Sequence, residues 1–472
     1  VGSEMCIRDS YTIISNELNG GNGMLFRKIQ SVIEEHLQSD FKKILLVDGA
    51  RQVGKTYIIR HVGKKLFSNF IEINMIEDFK GDKLFSSVNT VEDFYLRVSM
   101  IAGNKMGSKS DTLIFLDEIQ QYPELLTLLK FLQQDGKFTY IASGSLLGVT
   151  LAKTTSIPMG SIRKVRMFPL DFEEFALANG VNGYAVNAMR AKFERLESLD
   201  ESTHGKMLDL FRKYLLVGGL PDAVNTYLET HNIQRIRELQ SETHEYYVAD
   251  ASKYDAEHKL KIARIYDLIP SNLANKKKRV VVQDIEEKKG SRFSDYADEF
   301  DYLINAGIAL EVKAISNPVY PLKESESKNL LKLYLNDVGL LTNILYGTNI
   351  RAILDDDKSV NLGSVYESVV ASELIAHGFE LYYYDNRNKG EVDYLIDDYE
   401  NLCAFPIEVK SGKDYTVHSA LNHFVSNEDY RIQRGYVLSN ERIVSQKDKI
   451  IYLPVYYIMF IQNASQKDNL IF

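Results

Sequence analysis

The feature that most constrains this chain is GARQVGKT, residues 49–56, which follows the apolar run KILLVD and opens a helix-like segment. The spacing fits GxxxxGK[ST], in which glycines let backbone amides curl around a phosphate and the next helix presents its positive N-terminal end. Lys55 would neutralise phosphate oxygens, and the Thr56 hydroxyl would bind Mg²⁺. This context disfavours the alternative, a glycine turn with a surface lysine. The predicted nucleoside-triphosphate site comprises Gly49, Ala50, Arg51, Gln52, Val53, Gly54, Lys55 and Thr56.

A second apolar run, TLIFLDEIQ, ends in the acidic pair Asp117 and Glu118. An aspartate at the carboxyl end of a buried strand can hold Mg²⁺ through water, and Glu118 can polarise the attacking water. The alternative is a pair of charges at a helix N-terminus. A further run, YIASGS, ends in Ser145, which is either a sensor of the γ-phosphate or part of a simple turn at the end of a strand.

Short apolar runs alternate with helical patterns through the first part of the chain, which predicts an α/β fold with a parallel sheet. We expect the P-loop ATPase-type core to span residues 24–165 and a helical lid to span 166–250. A winged helix-turn-helix is predicted for 251–350, and a second α/β domain for 351–472. Residues 1–23 are expected to be a disordered or artefactual lead-in, with Met24 as the start.

The composition excludes several classes of protein. Lys and Arg number 56 against 65 Asp and Glu, a net charge of −9, which does not suit a protein that coats nucleic acid nonspecifically. The apolar run YLPVYYIMFI is about half the roughly 20 residues that a membrane helix needs, so it predicts a core strand and no membrane partner. Cys6 and Cys403 suggest neither a disulfide framework nor a zinc site. The cytoplasm is the expected compartment.

The middle of the chain has the pattern of a recognition helix followed by a wing, RFSDYADEFDYLINAGIALEVKAI. A basic run, KKKR at 276–279, precedes it, and such modules bind DNA through phosphate contacts and a helix in the major groove. Four acidic residues on the candidate helix would repel phosphate: Asp295, Asp298, Glu299 and Asp301. The sequence therefore favours protein interaction or a structural link over DNA contact for this element.

A charged constellation marks the last part of the chain. Glu367 lies in the apolar-periodic helix GSVYESVV, and Asp393 begins an apolar strand. Glu408 and Lys410 flank Val409, so they share one face of a strand that Asp393 can also reach. Asp393 and Glu408 would bind one or two Mg²⁺ ions, while Lys410 would orient a water or stabilise developing charge at a scissile phosphate. The alternative is a set of charges that pair with one another, because buried ion pairs alone do not show function.

Two resemblances join these motifs. DGARQVGKT, IFLDEIQQYPELLTLLKFL, ASGSLLG, SIPMGSIRKVRMFPLDFEEF and YLLVGGLPDAV resemble the AAA-superfamily ATPases of bacteria and archaea that carry a C-terminal domain of unknown function. This resemblance implies ATP binding and hydrolysis, a homo-oligomer, and an arginine finger at Arg163 or Arg166, unless these side chains are only solvated or salt-bridged. The order Glu, Asp, Glu-x-Lys, at Glu367, Asp393, Glu408 and Lys410, resembles the PD-(D/E)XK nuclease superfamily, which implies a nuclease-like domain over residues 351–472. The leading hypothesis is ATP-controlled action on DNA or RNA, and the alternative is an ATP-driven adaptor that contacts proteins.

Overall fold

The computed structural model describes residues 24–39, 43–145, 147, 160–251, 258–275, 278–286, 290–354, 362–386, 390–412 and 418–463. The predicted lead-in at 1–23 lies outside these residues. The chain divides into two compact units, one built from Arg27–Phe168 with Asn305–Gly307, the other from Pro169–Ile304 with Ile308–Phe472. Each unit is described by itself.

The unit formed by Arg27–Phe168 is built on a five-stranded parallel sheet. Its strands are β1 (Ile44–Asp48), β2 (Asn69–Asn74), β3 (Thr112–Asp117), β4 (Thr139–Gly144) and β5 (Ile162–Arg166), in the order β2-β3-β4-β1-β5. The α-helices among its described residues are α1 (Ile29–Gln38), α2 (Lys55–Leu66), α3 (Met75–Lys80), α4 (Val91–Ala102) and α5 (Pro123–Asp135).

The parallel sheet follows from central strands that are largely apolar and end in a polar residue. Every residue of β1 (ILLVD) and β3 (TLIFLD) is buried, as expected for a sheet that is covered on both faces. Strand β4 lies between them, so the carboxyl ends of β1, β4 and β3 meet at one edge. The predicted α/β class with a parallel core is therefore confirmed, and the sheet brings the phosphate loop close to Asp117.

The second unit begins with helices. Its α-helices up to the second sheet are α6 (Phe172–Ala178), α7 (Gly183–Glu194), α8 (Glu201–Val217), α9 (Pro221–Thr230), α10 (Ile233–Ala251), α11 (Lys259–Ala274), α12 (Gln283–Glu286) and α13 (Ala297–Asn305). The segment predicted as a lid is helical, and its role as a lid stays a prediction. Later helices are α14 (Val338–Tyr346), α15 (Arg351–Leu354), α16 (Gly363–Ala376) and α17 (Ser419–Ser426).

An eight-stranded mixed sheet organises the second unit. Its strands are β6 (Ala309–Ile315), β7 (Glu326–Leu335), β8 (Tyr382–Asn386), β9 (Gly390–Asp398), β10 (Cys403–Val409), β11 (Gly435–Ser439), β12 (Ser445–Lys447) and β13 (Ile450–Pro454). The order is β12-β13-β11-β10-β9-β8-β6-β7. The strand pair expected to form a wing, β6 and β7, is thus part of the same sheet as the C-terminal strands, and the winged-helix assignment stays a prediction. The mixed sheet confirms a further α/β region after the first core.

The apolar run YLPVYYIMFI departs from its predicted strand. Strand β13 takes only its first three residues, after which a buried 3₁₀-helix, Val455–Phe460, follows Pro454. Proline ends the ladder because it has no N–H to donate. In the part of the chain that the structure describes, none of the helices combines the length and apolar character needed to cross a membrane.

Candidate functional site

The phosphate loop connects β1 to α2 through backbone conformations that only glycine adopts easily. Gly49 has φ of +151°, and a Cβ there would lie 2.3 Å from the Met167 carbonyl oxygen. Gly54, directly before α2, has φ of +96°. Both values lie in the region that favours glycine. The two motif glycines therefore let the loop turn sharply and let it pack against the segment after β5.

Lys55 is folded into its own loop. Its Nζ donates to the carbonyl oxygens of Gly49 at 2.9 Å and Ala50 at 2.7 Å, and the side chain is buried. Burial lowers the pKa of Lys55, while the negative charges of Glu118, Asp48 and Asp117 oppose that shift. A deeply buried ammonium that has only carbonyl partners gains a strong partner when phosphate oxygens approach.

Thr56 and Asp117 are joined across the sheet edge, as their predicted roles require. Thr56 Oγ1 donates to Asp117 Oδ2 at 2.9 Å, and Ser143 Oγ, at the end of β4, donates to Asp117 Oδ1. Burial raises the pKa of Asp117, and the two hydroxyl donors oppose that shift. The Thr56 hydroxyl and the Asp117 carboxylate offer adjacent hard oxygens, so they fit a Mg²⁺ ion that keeps several of its waters.

Glu118 is linked to the end of β4. Its Oε2 accepts from Ser145 Oγ at 3.0 Å and from the Gln120 side-chain amide, and Ser145 Oγ accepts from Arg51 Nε at 3.1 Å. Glu118 has φ of +54°, an uncommon conformation for a residue other than glycine. The turn after β3 thus directs this carboxylate to Ser145 and, through it, to the phosphate loop.

The two candidate finger arginines lie at different levels of β5. Arg166 pairs with Asp48 at the end of β1, with its Nη2 3.2 Å from Asp48 Oδ2, and also donates to the Asn305 carbonyl. Arg163 is opposite Leu45, three residues earlier in the strand. Arg166 therefore forms the kind of salt bridge that was the alternative to a finger role. The finger role of either arginine stays a prediction.

Asp393 and Glu408 are neighbours on adjacent antiparallel strands. The register that pairs Tyr394 of β9 with Ile407 of β10 puts Glu408 next to Asp393 on the same face of the sheet. Val409 N donates to Asp393 Oδ2 at 2.9 Å, and Lys410 Nζ lies 2.7 Å from Glu408 Oε1. The strand pattern thus brings these two carboxylates and the lysine together as predicted.

Glu367 reaches the same area from helix α16. Its carboxylate is buried, and Oε1 contacts Lys278 Nζ, while Tyr394 OH donates to the Glu367 carbonyl at 2.8 Å. A cleft of about 320 Å³ opens beside these groups. It is lined by Lys278, Gly363, Glu367, Asp393, Val409, Lys410, Ser411 and Gly412. Glu408 lies next to this lining and not within it.

Two carboxyl groups at the cleft, those of Glu367 and Glu408, have raised pKa values. Burial, reinforced by the charge of Asp393, raises the pKa of Glu367 to about 7 and that of Glu408 to about 8. Without a cation, both groups are then partly or mainly protonated near neutral pH. Because a metal ion must displace those protons, its affinity for this site should increase as the pH rises through about 7 to 8.

The carboxylate oxygens around the cleft are the ligand type that Mg²⁺ prefers, but the three carboxyl groups are too far apart to bind one ion together. Glu367 Oε2 and Glu408 Oε2 are buried and have no hydrogen-bond partner in the described structure. However, Glu367, Asp393 and Glu408 do not bring three oxygens within 4.8 Å of one another. Asp393 and Glu408 are thus the pair that would hold an ion, with water completing its coordination.

The sequence did not predict that two lysines, Lys278 and Lys332, belong to this site. Lys278, from the KKKR run, contacts Glu367 from 89 residues upstream, and Lys332 on β7 is fully buried with its Nζ against Glu391. Burial by itself would lower the pKa of Lys332. The surrounding acidic groups, including Glu367 and Asp393, raise it by more than burial lowers it, so the net shift is upward. The sequence signals were the KKKR run and a lysine in the apolar strand NLLKLYL. Neither indicated its partners, which are distant in the chain.

Three family models match successive parts of the chain. Residues 41–176 match an AAA domain, residues 208–351 match a domain of unknown function, DUF8612, and residues 362–458 match another, DUF4143. Each covers less than a third of the chain. A comparison with curated proteins finds no match.

Solved structures give weaker likenesses. A Walker-type ATPase of Pyrococcus abyssi is 14% identical, with 68% of this chain and 95% of that one covered, at a TM-score of 0.43. The ORC2 protein of Aeropyrum pernix, solved in ADPNP-ADP complexes, is 13% identical, with coverages of 72% and 98% and a TM-score of 0.38. The ORC1 protein of the same organism, in complex with DNA, is 14% identical, with coverages of 69% and 92% and a TM-score of 0.30. The AAA domain match is therefore the more informative comparison.

Proposed function

We propose that this chain is an AAA-type ATPase that binds ATP and hydrolyses it with Mg²⁺. The observation that carries the proposal is the hydrogen bond from Thr56 to Asp117, at the sheet edge where Lys55 and Glu118 also lie. Phosphoryl transfer to water needs a cation at the phosphates, ligands for the metal and a carboxylate that orients the water. The AAA domain match over residues 41–176 supports the same activity.

In this reaction each group at the sheet edge has one task. Lys55 binds the phosphate oxygens, and Thr56 and Asp117 hold Mg²⁺, which when bound supplies positive charge to the transferred phosphoryl group. Glu118 accepts a proton from the attacking water. Ser145, which is hydrogen-bonded to Glu118 and to Arg51 of the phosphate loop, responds to the presence of the γ-phosphate.

The direct test is ATP hydrolysis by the purified full chain with and without Mg²⁺. We expect phosphate release with Mg²⁺, its loss when EDTA removes the ion, and its return when excess Mg²⁺ is added. Release should be measured alone and with added DNA or RNA, because stimulation would indicate that nucleic acid is a partner. Equal rates with Mg²⁺ and with EDTA, or no release under any condition, would contradict the proposal.

We further propose that the cleft beside Asp393 and Glu408 acts on nucleic acid. The observation that favours this second function is the buried Glu408 Oε2 without a hydrogen bond, next to Asp393 and to Lys410. Lys410 and Lys278 give the cleft positive charge that suits a phosphodiester. The rival is a protein-binding adaptor in which these charges only pair with one another.

We expect the chain to cut DNA or RNA with Mg²⁺ or Mn²⁺, and Glu408→Gln and Lys410→Ala each to slow cutting by about 100-fold or more. The first change removes a metal ligand, and the second removes a charge that stabilises the transition state. Glu400→Gln, an exposed carboxylate in the turn after β9, is the matched control and should cut normally. Wild-type protein that neither cuts nucleic acid nor binds the metal would leave only the adaptor.

A homo-oligomer with an arginine finger, and the cytoplasm as compartment, complete the proposal. Of the two candidates Arg163 is the one that is not bound to Asp48, so it is the better finger.

A further inference from the structure

A second group of ligand-type side chains lies away from both sites, between helices α6 and α16. Asp171 is the residue that caps the N-terminus of α6. Glu373 lies in the last turn of α16, and His377, one turn further along the chain, is the residue that caps the C-terminus of that helix. In the part of the chain that the structure describes, these residues form the one group whose three ligand atoms all lie within 4.8 Å of one another. All three side chains are buried.

The orientation of His377 identifies the ring nitrogen that faces the carboxylates. Nδ1 lies 2.8 Å from the carbonyl oxygen of Ile461, which can only accept, so Nδ1 carries the proton. Nε2 is then the nitrogen that would offer a lone pair to a metal ion. The residue is 4% exposed, and Nε2 makes no hydrogen bond. A histidine whose other nitrogen donates to a backbone carbonyl is the usual arrangement of a metal ligand.

The distances around Nε2 are too long for hydrogen bonds and suit a shared ion. Nε2 lies 3.6 Å from Asp171 Oδ2 and 3.8 Å from Glu373 Oε2. Ligand atoms that bind zinc at about 2.0–2.2 Å in a tetrahedron are about 3.3–3.6 Å apart. A small inward movement of the side chains would close the site.

The backbone already holds both carboxylates in place. Asp171 Oδ1 accepts from Glu174 N at 2.9 Å, and Glu373 Oε1 accepts from Phe172 N at 2.7 Å. Hydrogen bonds of this kind fix the direction of the remaining ligand oxygen. The first turn of α6 therefore supports both acidic ligands.

We propose that Asp171, Glu373 and His377 bind one divalent transition-metal ion, Zn²⁺ or Mn²⁺, with water completing the coordination. One nitrogen and two carboxylate oxygens are ligands that both ions accept. The ion fastens α6 to α16 and has a structural role. It is separate from the cleft site, because Glu373 follows Glu367 by six residues and so points about 120° away around the helix axis. The competing arrangement is a protonated His377 that pairs with the two carboxylates and needs no metal.

The test uses the full chain with Asp393→Asn and Glu408→Gln, which remove the ligands of the cleft, and without nucleotide. After chelation and desalting, Zn²⁺ or Mn²⁺ is added, excess is removed, and retained metal is measured by mass spectrometry together with the thermal unfolding midpoint. We expect one ion per chain and a higher midpoint with metal. His377→Gln in the same background should lose both effects, and His418→Gln, at another buried histidine, should keep them.

Two results would overturn the metal site. One is a parent protein that retains no ion and has the same midpoint with and without metal, which would favour the protonated histidine. The other is a His377→Gln variant that folds and still retains one ion. If that variant does not fold, Co²⁺ is added to the parent protein instead. Co²⁺ bound at these ligands should give a visible absorption band that disappears when Zn²⁺ displaces the Co²⁺. Absence of the band would contradict the proposal.

Discussion

Lys55→Ala is expected to lower ATP hydrolysis by at least about 100-fold, because the change removes the lysine that this motif directs at the β- and γ-phosphate oxygens. Lys55 is buried and donates to the carbonyl oxygens of Gly49 and Ala50, which carry no net charge, so its own charge is available to the nucleotide. ATP binding should weaken as well, since the same contact acts before and during the reaction. Phosphate release and the binding of a fluorescent ATP analogue measure the two effects.

Lys64→Ala is the matched control for this experiment. Lys64 is exposed in the last turn of the same helix, so its replacement changes the net charge equally but leaves the loop intact. We expect normal hydrolysis. Thermal unfolding of both variants should separate a lost phosphate contact from a lost fold. Hydrolysis by a folded Lys55→Ala variant at the wild-type rate would refute the phosphate-loop assignment.

The arrangement of the proposed phosphate site was predictable from sequence because each of its parts is a short local pattern. The eight residues at 49–56 carry the loop spacing. Asp117 ends one apolar strand and Ser145 directly follows another, and the carboxyl ends of parallel strands meet at one edge of a sheet. The link from Arg51 through Ser145 to Glu118 was not predictable, because it depends on the order of the strands. That order puts β4 between β1 and β3.

The second site was predictable only in part. Alternation along β10 put Glu408 and Lys410 on one face. Nothing in the spacing indicated that Lys278 would contact Glu367 or that Lys332 would lie near Glu367 and Asp393. Such pairings depend on long-range packing that no local pattern contains. The strand pair β6 and β7 likewise resembled a wing locally, and its hydrogen bonds extend the larger sheet. The run YLPVYYIMFI contains the proline that ends β13, and apolar character alone does not distinguish a buried strand from a buried helical turn.

Glu118→Gln is expected to separate ATP binding from ATP hydrolysis. The amide keeps the size of the side chain and can still accept from Ser145 and Gln120, but it cannot take a proton from water. Hydrolysis should fall by about 10²- to 10⁴-fold, which is the usual contribution of a general base. ATP should still bind, because Lys55, Thr56 and Asp117 are unchanged.

This pair of effects distinguishes a water-activating carboxylate from one that only supports the turn after β3. A structural role would change binding and hydrolysis together, since Glu118 is tied to the phosphate loop through Ser145 and Arg51. Glu124→Gln is the control: this exposed carboxylate lies in the first turn of α5, six residues further along, and should leave both quantities unchanged. Equal losses of ATP affinity and turnover in Glu118→Gln would refute its assignment as the base and make it a positioning residue.

Retained affinity with slow turnover would also yield a protein held in its ATP-bound state. In that protein, the proposed cutting of nucleic acid at the cleft of Asp393 and Glu408 could be measured apart from ATP hydrolysis.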